Sequence, residues 1–440
     1  MQTGQGLVWG STFSLGKGSE TITAIRKNSS GSRPYNSLTE YGYYKGITAT
    51  ADITNRISVT GVFSRKRLDA RVTGDSIISF AETGYHRDSA ENLLRKNVVE
   101  QVSGGSIRFQ TRDGRFRSGI NFCGINYSKT IAGNEDTYRI FNFSGQSAFY
   151  TGADYGYSFR NVSITGETAS SSDGSLATIH GLIIALSPRI DYALSYRSFS
   201  KSYDNPYASG FGENTRTSNE SGIYQGIKIS PSRSVELSGY ADIFRFPWLK
   251  YQIDAPTQGA EYMIKGIYRF SRKTNVYLQF REEIKEKTYL SDASDLYRKQ
   301  TIAFNFTGSF EPFSINSRFI WNQTASPLSK GRGTALSNDL SLKTGKLETT
   351  LRFAIFDTHT YDNRLYLYEK DVLYSFSIPA YYGTGCRYYI LTRLRIFRKT
   401  DLWLRYSKTV DLGQEKIGEE KPENQTGKGS ELKVQIKYTF

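Results

Sequence analysis

Cysteine, histidine, proline and long apolar runs are all scarce in this chain, and each scarcity removes a class of protein. The two cysteines, Cys123 and Cys386, stand far apart with no Cys-x-x-Cys or Cys/His spacing around them. Neither a thiolate metal site nor a disulfide-stapled scaffold is expected. The three histidines, His86, His180 and His359, supply no His-x-His pair for a metal and no base beside a nucleophilic serine, and no Gly-x-Ser-x-Gly elbow occurs. These absences lead to an expectation of no metal, no cofactor and no enzymatic chemistry. The longest apolar runs are like Leu182-Ile183-Ile184-Ala185-Leu186, far short of the roughly 18 residues of a spanning helix. A helical membrane protein is excluded.

What is present is alternation. At the C-terminus, Leu432, Val434, Ile436, Tyr438 and Phe440 are separated by Lys433, Gln435, Lys437 and Thr439, the pattern of a strand with lipid on one face and water on the other. A terminal Phe closing such a strand resembles the signal by which Gram-negative outer-membrane barrels are recognised, so these five residues are assigned as an insertion signal read by the barrel-insertion machinery. The same grammar recurs along the chain in segments of about ten residues, with 32 Tyr and 26 Phe available for the aromatic girdles of a membrane strand protein. Trp9, Tyr41, Tyr43, Tyr44, Trp248 and Trp321 are candidates for those girdles. Mean hydropathy is nevertheless negative, at -0.49, as it is when polar residues alternate with lipid-facing ones.

Connections alternate between short and long. Thr54–Arg56, Arg112–Arg115, Phe159–Asn161, Ser187–Arg189, Pro231–Arg233, Ser271–Thr274, Thr344–Lys346 and Arg398–Thr400 are rich in turn residues and read as periplasmic turns. Residues 16–40, 67–98, 201–220, 247–259, 287–296, 323–335, 358–384 and 412–428 read as external connections. Loop 67–98 carries a short helix over 88–96, with Asp88 or Ser89 as N-cap. Loop 358–384 holds a strand-like stretch, Asp371–Ser377, that is best kept within the connection. The expected fold is all-β: one transmembrane antiparallel up-and-down β-barrel of about 20 strands spanning residues 1–440, in the Gram-negative outer membrane, with Gln5–Leu15 as its first strand.

Period two assigns faces. Taking Leu432 and Val434 as lipid-facing, the inward positions of the C-terminal half collect Lys265, Arg269, Arg281, Arg318, Arg352, Arg387, Arg393, Arg395, Arg405, Lys433 and Lys437. The few inward acids on strands are Glu283, Glu348 and Asp401, and Glu415, Glu419 and Glu420 of a loop are further counter-charges. Such a basic wall favours anions where a pore is open. The formal charge of +15 also suits outer-membrane lipid and lipopolysaccharide as the anionic surface.

Two stretches, Gly4-Gln-Gly-Leu-Val-Trp9 with Phe13-Ser-Leu-Gly-Lys-Gly18, and Tyr368–Gly383 running into Arg387-Tyr-Tyr389 and Leu402–Tyr406, resemble the C-terminal barrel portion of outer-membrane proteins with a helix-hairpin-helix (ComEA-like) domain. Ile25-Arg-Lys27, Arg33-Pro-Tyr35 and Gly84-Tyr-His-Arg87 fit as well. The resemblance implies that the sequence begins inside a barrel, lacking an upstream signal, the helix-hairpin-helix region and the first strands. A link to DNA uptake would then rest on the family name alone, and nucleic acid is not an expected partner of this segment. The expected function is a porin-like pore or conduit, or the membrane anchor of an envelope assembly with a periplasmic or surface partner. The competing class is an adhesin or receptor that uses the barrel to display its loops, with Tyr203, Tyr207 and Phe211 as a platform for stacking carbohydrate.

Overall fold

Short turns and period-two alternation produce strands through most of the chain. The computed structural model describes all residues except 11–16, 18–19, 28–30, 36, 38–40, 252, 289–293, 328–329, 413–428 and 440. In chain order the elements are β1 (Gly46–Thr54), β2 (Ile57–Leu68), β3 (Ala70–Thr73), β4 (Ser76–Phe80), helix α1 (Ser89–Leu93), β5 (Val98–Gln110), β6 (Phe116–Ile131), β7 (Gly145–Phe159), β8 (Val162–Ser171), β9 (Leu176–Ser187), β10 (Ile190–Phe199), β11 (Glu220–Ile229) and β12 (Val235–Phe246). They continue as β13 (Thr257–Arg269), β14 (Thr274–Thr288), β15 (Ser294–Phe310), β16 (Phe313–Ala325), β17 (Lys330–Thr344), β18 (Leu347–Thr358), β19 (Leu365–Tyr366), β20 (Ala380–Tyr381), β21 (Thr384–Phe397), β22 (Thr400–Asp411) and β23 (Gly429–Tyr438). Twenty-one of these strands are in up-and-down sheet and β19–β20 form a separate pair. Apart from a two-residue parallel contact between β4 and β6, every registered pairing is antiparallel. Among the described residues no helix is long and apolar enough to cross a membrane.

The chain divides into two compact units. Unit 1 holds residues Met1–Ile229, Gly239–Ala260 and Glu286–Ser294, and unit 2 holds Ser230–Ser238, Glu261–Lys285 and Asp295–Phe440. In unit 1, β2 pairs with β1 and β5, and each strand from β5 to β11 pairs with the next. The β3–β4 hairpin and α1 lie in the connection after β2, where the Asp88 carboxylate caps the helix by accepting from the Glu91 amide at 2.8 Å. That cap satisfies one of the amides a helix start leaves without a partner.

In unit 2 the strands from β15 to β18 pair in order, followed by β21, β22 and β23. Register aligns one side-chain row across five of them: Leu340 opposite Leu351, Leu351 opposite Ile390, Ile390 opposite Tyr406 and Tyr406 opposite Leu432. These five residues are 38 to 70% exposed. A second row, Leu347–Leu394–Leu402–Ile436, runs beside it. On the opposite face of the same strands lie Asp339, Arg352, Tyr389 and Arg405, all buried. The segment between β18 and β21, residues 359–383, covers that inner face: its Leu365, Leu367 and Tyr381 pack against Ala303, Ile320, Ala335, Ala354 and Phe356. Three alanines among those strand positions make the seat into which the larger side chains fit.

Two expectations from sequence need correction. Residues 5–10 are a buried turn and not the start of a strand, because a carboxylate from the sheet takes up their amides, as described below. Trp9 belongs to no girdle: it is fully buried, with Nε1 donating to the Gly105 carbonyl at 3.3 Å. The stretch Asp371–Ser377 stays in its connection, joined to Glu369 only by an isolated bridge. Phe440 and the 413–428 part of the last loop lie outside the described residues.

The exposed row gives a direct test. Phe353, in the middle of β18 and 52% exposed, is expected to tolerate Leu, whereas Phe353→Arg should cost about 2–4 kcal/mol if the residue sits near the bilayer midplane. Urea titration of the protein refolded into vesicles measures the difference.

Candidate functional site

The inner face of each unit is a network of charges and backbone groups gathered on an inward-folded segment. In unit 2 the centre is Glu369, which is fully buried. Its carboxylate accepts from Arg387 Nε at 2.7 Å and Nη2 at 3.0 Å, from Arg405 Nη2 at 2.5 Å and from the Tyr381 hydroxyl at 2.7 Å. β21 supplies Arg387 and β22 supplies Arg405, each at an inward position of its strand. The Arg387 fork, a single N–H of Arg405 and the Tyr381 hydroxyl satisfy the carboxylate's lone pairs, and the two guanidinium groups compensate its charge.

The rest of the segment is tied in the same way. Asp371 pairs with Lys433 of β23 at 2.8 Å. Arg405 donates to the Lys370 carbonyl at 3.2 Å and Gln435 to the Leu373 carbonyl at 3.0 Å. Arg352 holds Asp339 through both Nε and Nη2 and donates from Nη1 to the Tyr368 carbonyl at 2.5 Å. The Lys370 ammonium reaches Ser341 Oγ at 3.0 Å. Where the segment begins, Asn363 and Asn322 exchange hydrogen bonds: Asn322 Nδ2 donates to the Asn363 carbonyl and Asn363 Nδ2 to Asn322 Oδ1, each at 3.1 Å. Gly331 is required beside them, since a Cβ there would lie 2.0 Å from Asn363 Oδ1.

The remaining basic-wall positions sit apart from this hub. Arg281 pairs with Glu261 at 2.6 Å, Arg269 with Glu236 at 2.7 Å, and Arg393 and Arg395 both with Asp401, at 3.2 and 3.5 Å. Lys265 lies over the Tyr277 ring at 4.7 Å. Arg318 Nε makes no hydrogen bond among the described residues. Lys437 is exposed at a register position opposite Asp401. The structure therefore brings Arg352, Arg387, Arg405 and Lys433 together on one segment and leaves the other seven dispersed.

Unit 1 reverses the arrangement. Here the strand supplies the anion: buried Glu167 of β8 accepts from the amides of Gln5, Leu7 and Val8 at 2.6, 3.1 and 3.1 Å. Gly6, at φ +85°, gives the backbone the left-handed turn that lets these amides converge. Asn205 and Tyr203 hold the carbonyl of Leu7 from the other side at 2.9 and 2.8 Å. Tyr203, Tyr207 and Phe211 are thus buried, which corrects the expectation that they form an exposed carbohydrate platform: they pack round the N-terminal segment, with the Tyr207 hydroxyl donating to Glu100 and Phe211 set against Tyr224 at 5.1 Å. Deeper in this unit, fully buried Arg197 is held by Glu220 at 2.5 Å and by Asp242 at 2.8 and 3.1 Å. Cys123 and Cys386 are free thiols.

Sequence reasoning did not identify Glu167, Arg197, Glu220, Asp242, Glu369 or Asp371. A signal existed for those on strands, namely an ionisable residue at an inward position, but Glu369 and Asp371 fall in a connection, where parity assigns no face.

Strands that turn unbroken apolar rows outward and gather their ion pairs on the other face are built for lipid on one side and water on the other. The chain is an outer-membrane β-barrel protein. Among solved structures it is similar to OmpT of Vibrio cholerae at 7% identity, covering 77% of this chain and 97% of that one with a TM-score of 0.37. It is similar to OccAB3 of Acinetobacter baumannii at 11% identity, covering 89 and 99% with a TM-score of 0.39. It is also similar to the siderophore receptor PiuA of Acinetobacter baumannii at 9% identity, covering 82 and 69% with a TM-score of 0.42. No protein-family model and no curated protein matches the chain, so the helix-hairpin-helix resemblance receives no support beyond the outer-membrane barrel itself. The expectation of no enzymatic chemistry is also corrected. OmpT stands among these structures, and a β-barrel does not by its fold exclude catalysis.

The carboxylates of the segment predict an acid response. Burial alone would raise the pKa of Glu369 and Asp371, but the cations around them, Arg387 and Arg405 for the first and Lys433 and Arg405 for the second, outweigh it and hold both below the ordinary carboxylate range. A group bound this way takes up a proton less readily folded than unfolded, so its stabilisation is complete above about pH 5 and is lost as pH falls through the depressed pKa values. Protection of residues 364–382 from hydrogen exchange, taken against the intrinsic rate at each pH, is therefore expected to be high at neutral pH and to fall below about pH 4. Glu369→Gln should reproduce the loosening at neutral pH: leaving Arg405 buried against a neutral amide costs about 3–5 kcal/mol, read as exchange of the segment faster by at least about a hundredfold.

Proposed function

We propose that this chain is an outer-membrane conduit whose basic inner wall is masked by its own segment 359–383 and is uncovered when the segment is displaced. One observation carries the reading: Glu369 and Asp371, which neutralise Arg387, Arg405 and Lys433, belong to a connection between strands and not to the strands themselves. Charges contributed by strands stay with the wall whatever the connection does. Charges contributed by a connection leave with it. Arg352 would keep Asp339 as its counter-ion, and Arg405 and Lys433 would share only Glu431 of β23, at 3.1 and 3.4 Å, so that Arg387, Arg405 and Lys433 would face water with a net excess of positive charge, and a pore so lined favours anions. With the segment in place, the wall has little net charge at this level and no strong preference.

Planar-bilayer recording tests the proposal. The unmodified protein is expected to pass little current and to show weak selectivity, whereas Glu369→Gln/Asp371→Asn should raise conductance and move the reversal potential in a salt gradient toward that of the anion. Faster gel mobility of unboiled than of boiled sample establishes that each variant has folded. Equal conductance and equal reversal potential in the two folded proteins would overturn the masking role.

A further inference from the structure

Segment 359–383 has a second face that the charge network does not use. Because its extended part alternates, turning Leu365, Leu367 and Glu369 onto the strands turns Tyr366 and Tyr368 the other way. Tyr361, Tyr374 and Tyr382 point outward as well. These five tyrosines are 57% (Tyr361), 51% (Tyr366), 49% (Tyr368), 47% (Tyr374) and 39% (Tyr382) exposed. They cannot be lipid-facing, since the segment lies on the face of the strands opposite the exposed apolar rows.

The rings are held in place. Tyr361 and Tyr382 meet edge to face at 5.4 Å. The Arg364 guanidinium lies 4.2 Å from the Tyr361 ring and 5.7 Å from that of Tyr366, and its Nε donates to the Tyr366 hydroxyl at 2.6 Å. Tyr368 lies 5.7 Å from Phe376. Fixed, half-exposed aromatic surface of this extent marks a place where something binds.

We propose that the outward face of segment 359–383 is a binding track for neutral oligosaccharides. Charge narrows the ligand. The segment's own Glu369, Lys370 and Asp371 are engaged with the strands, which leaves Arg364, flanked by two tyrosine rings, and the exposed Asp362, one charge of each sign, so the face offers neither the row of cations that a polyanion needs nor the row of carboxylates that a polycation needs. Chemistry narrows it further. Tyrosine combines a flat apolar ring with a hydroxyl at its edge, which matches a sugar ring that is apolar on its C–H face and rimmed with hydroxyls; a lipid chain or an apolar peptide would be better served by aliphatic side chains. Alternate positions in extended chain repeat about every 6.5 Å, so successive rings can stack on successive units of a chain. The inference deepens the conduit reading by naming a solute class, and rests on it only for the segment's place in the passage.

Saturation-transfer NMR on the protein in lipid nanodiscs tests it, free of maltoside detergents that would occupy the same face. The probes are malto-, cello-, xylo- and chitohexaose. At least one hexaose is expected to receive saturation and to bind at least tenfold more weakly to Tyr366→Ala/Tyr368→Ala/Tyr382→Ala, whose rings are exposed and whose folding is checked by gel mobility. As a fold-preserving control, replacing the same three tyrosines by Phe should retain stacking and keep most of the binding. Silence across all four hexaoses, or binding that the triple alanine variant leaves unchanged, would overturn the track. Because binding is read without current, a protein that binds sugar but does not conduct defeats the conduit alone, and one that conducts without binding defeats the track alone.

Discussion

A peptide group inside a bilayer has no water to bind, and everything in this structure follows from meeting that requirement with strands. Antiparallel pairing satisfies the backbone, and the pleat then divides side chains between two faces. Lipid claims one of them, which is why Leu340, Leu351, Ile390, Tyr406 and Leu432 fall in register. Polar residues are left with the other. On that face the dielectric is low enough that a lone arginine is costly, so each buried cation there must find an anion close by.

The two units meet this demand with opposite arrangements. In unit 2 the strands carry Arg387 and Arg405 and an inward-folded connection brings the carboxylate of Glu369 to them. In unit 1 the strand carries the carboxylate of Glu167 and the folded segment brings backbone amides. Both settle the electrostatics of the wall and hold a stretch of chain against it. Neither interaction is separable from the position of that stretch, so the interior surface depends on where the segments lie.

Much of this was legible in the sequence, and the limit of legibility has a physical cause. Alternation along Leu432–Tyr438 and the turn residues at Asn55, Asp113 and Lys346 are local signals, and local signals specify strands and their two faces. A connection has no period, so nothing in Tyr368-Glu369-Lys370-Asp371 says which way its acids point until β21, β22 and β23 are in place to receive them. The loop acids Glu415, Glu419 and Glu420 were equally plausible partners on charge alone. Residues 5–10 misled for a related reason: Leu7, Val8 and Trp9 have strand-forming character, but the glycines on either side allow a turn, and a carboxylate distant in sequence decides between them. Tyr203, Tyr207 and Tyr366 are one residue type in two connections, two of them buried and the third half-exposed, and only the packing of the segments separates them.

The segment of unit 2 is fastened by two kinds of bond that do not respond to the same stimulus. Its middle is held by ionised groups, Glu369 and Asp371, which acid or salt can weaken. Its beginning is held by the reciprocal amides of Asn322 and Asn363, closed in by Gly331, and an amide does not titrate at any pH a cell meets. In the proposed displacement, release would therefore run in sequence along the chain. The charged middle would lift while the neutral end stays fastened, and the segment would behave as a flap on a fixed hinge that falls back onto the same strands when neutral pH returns.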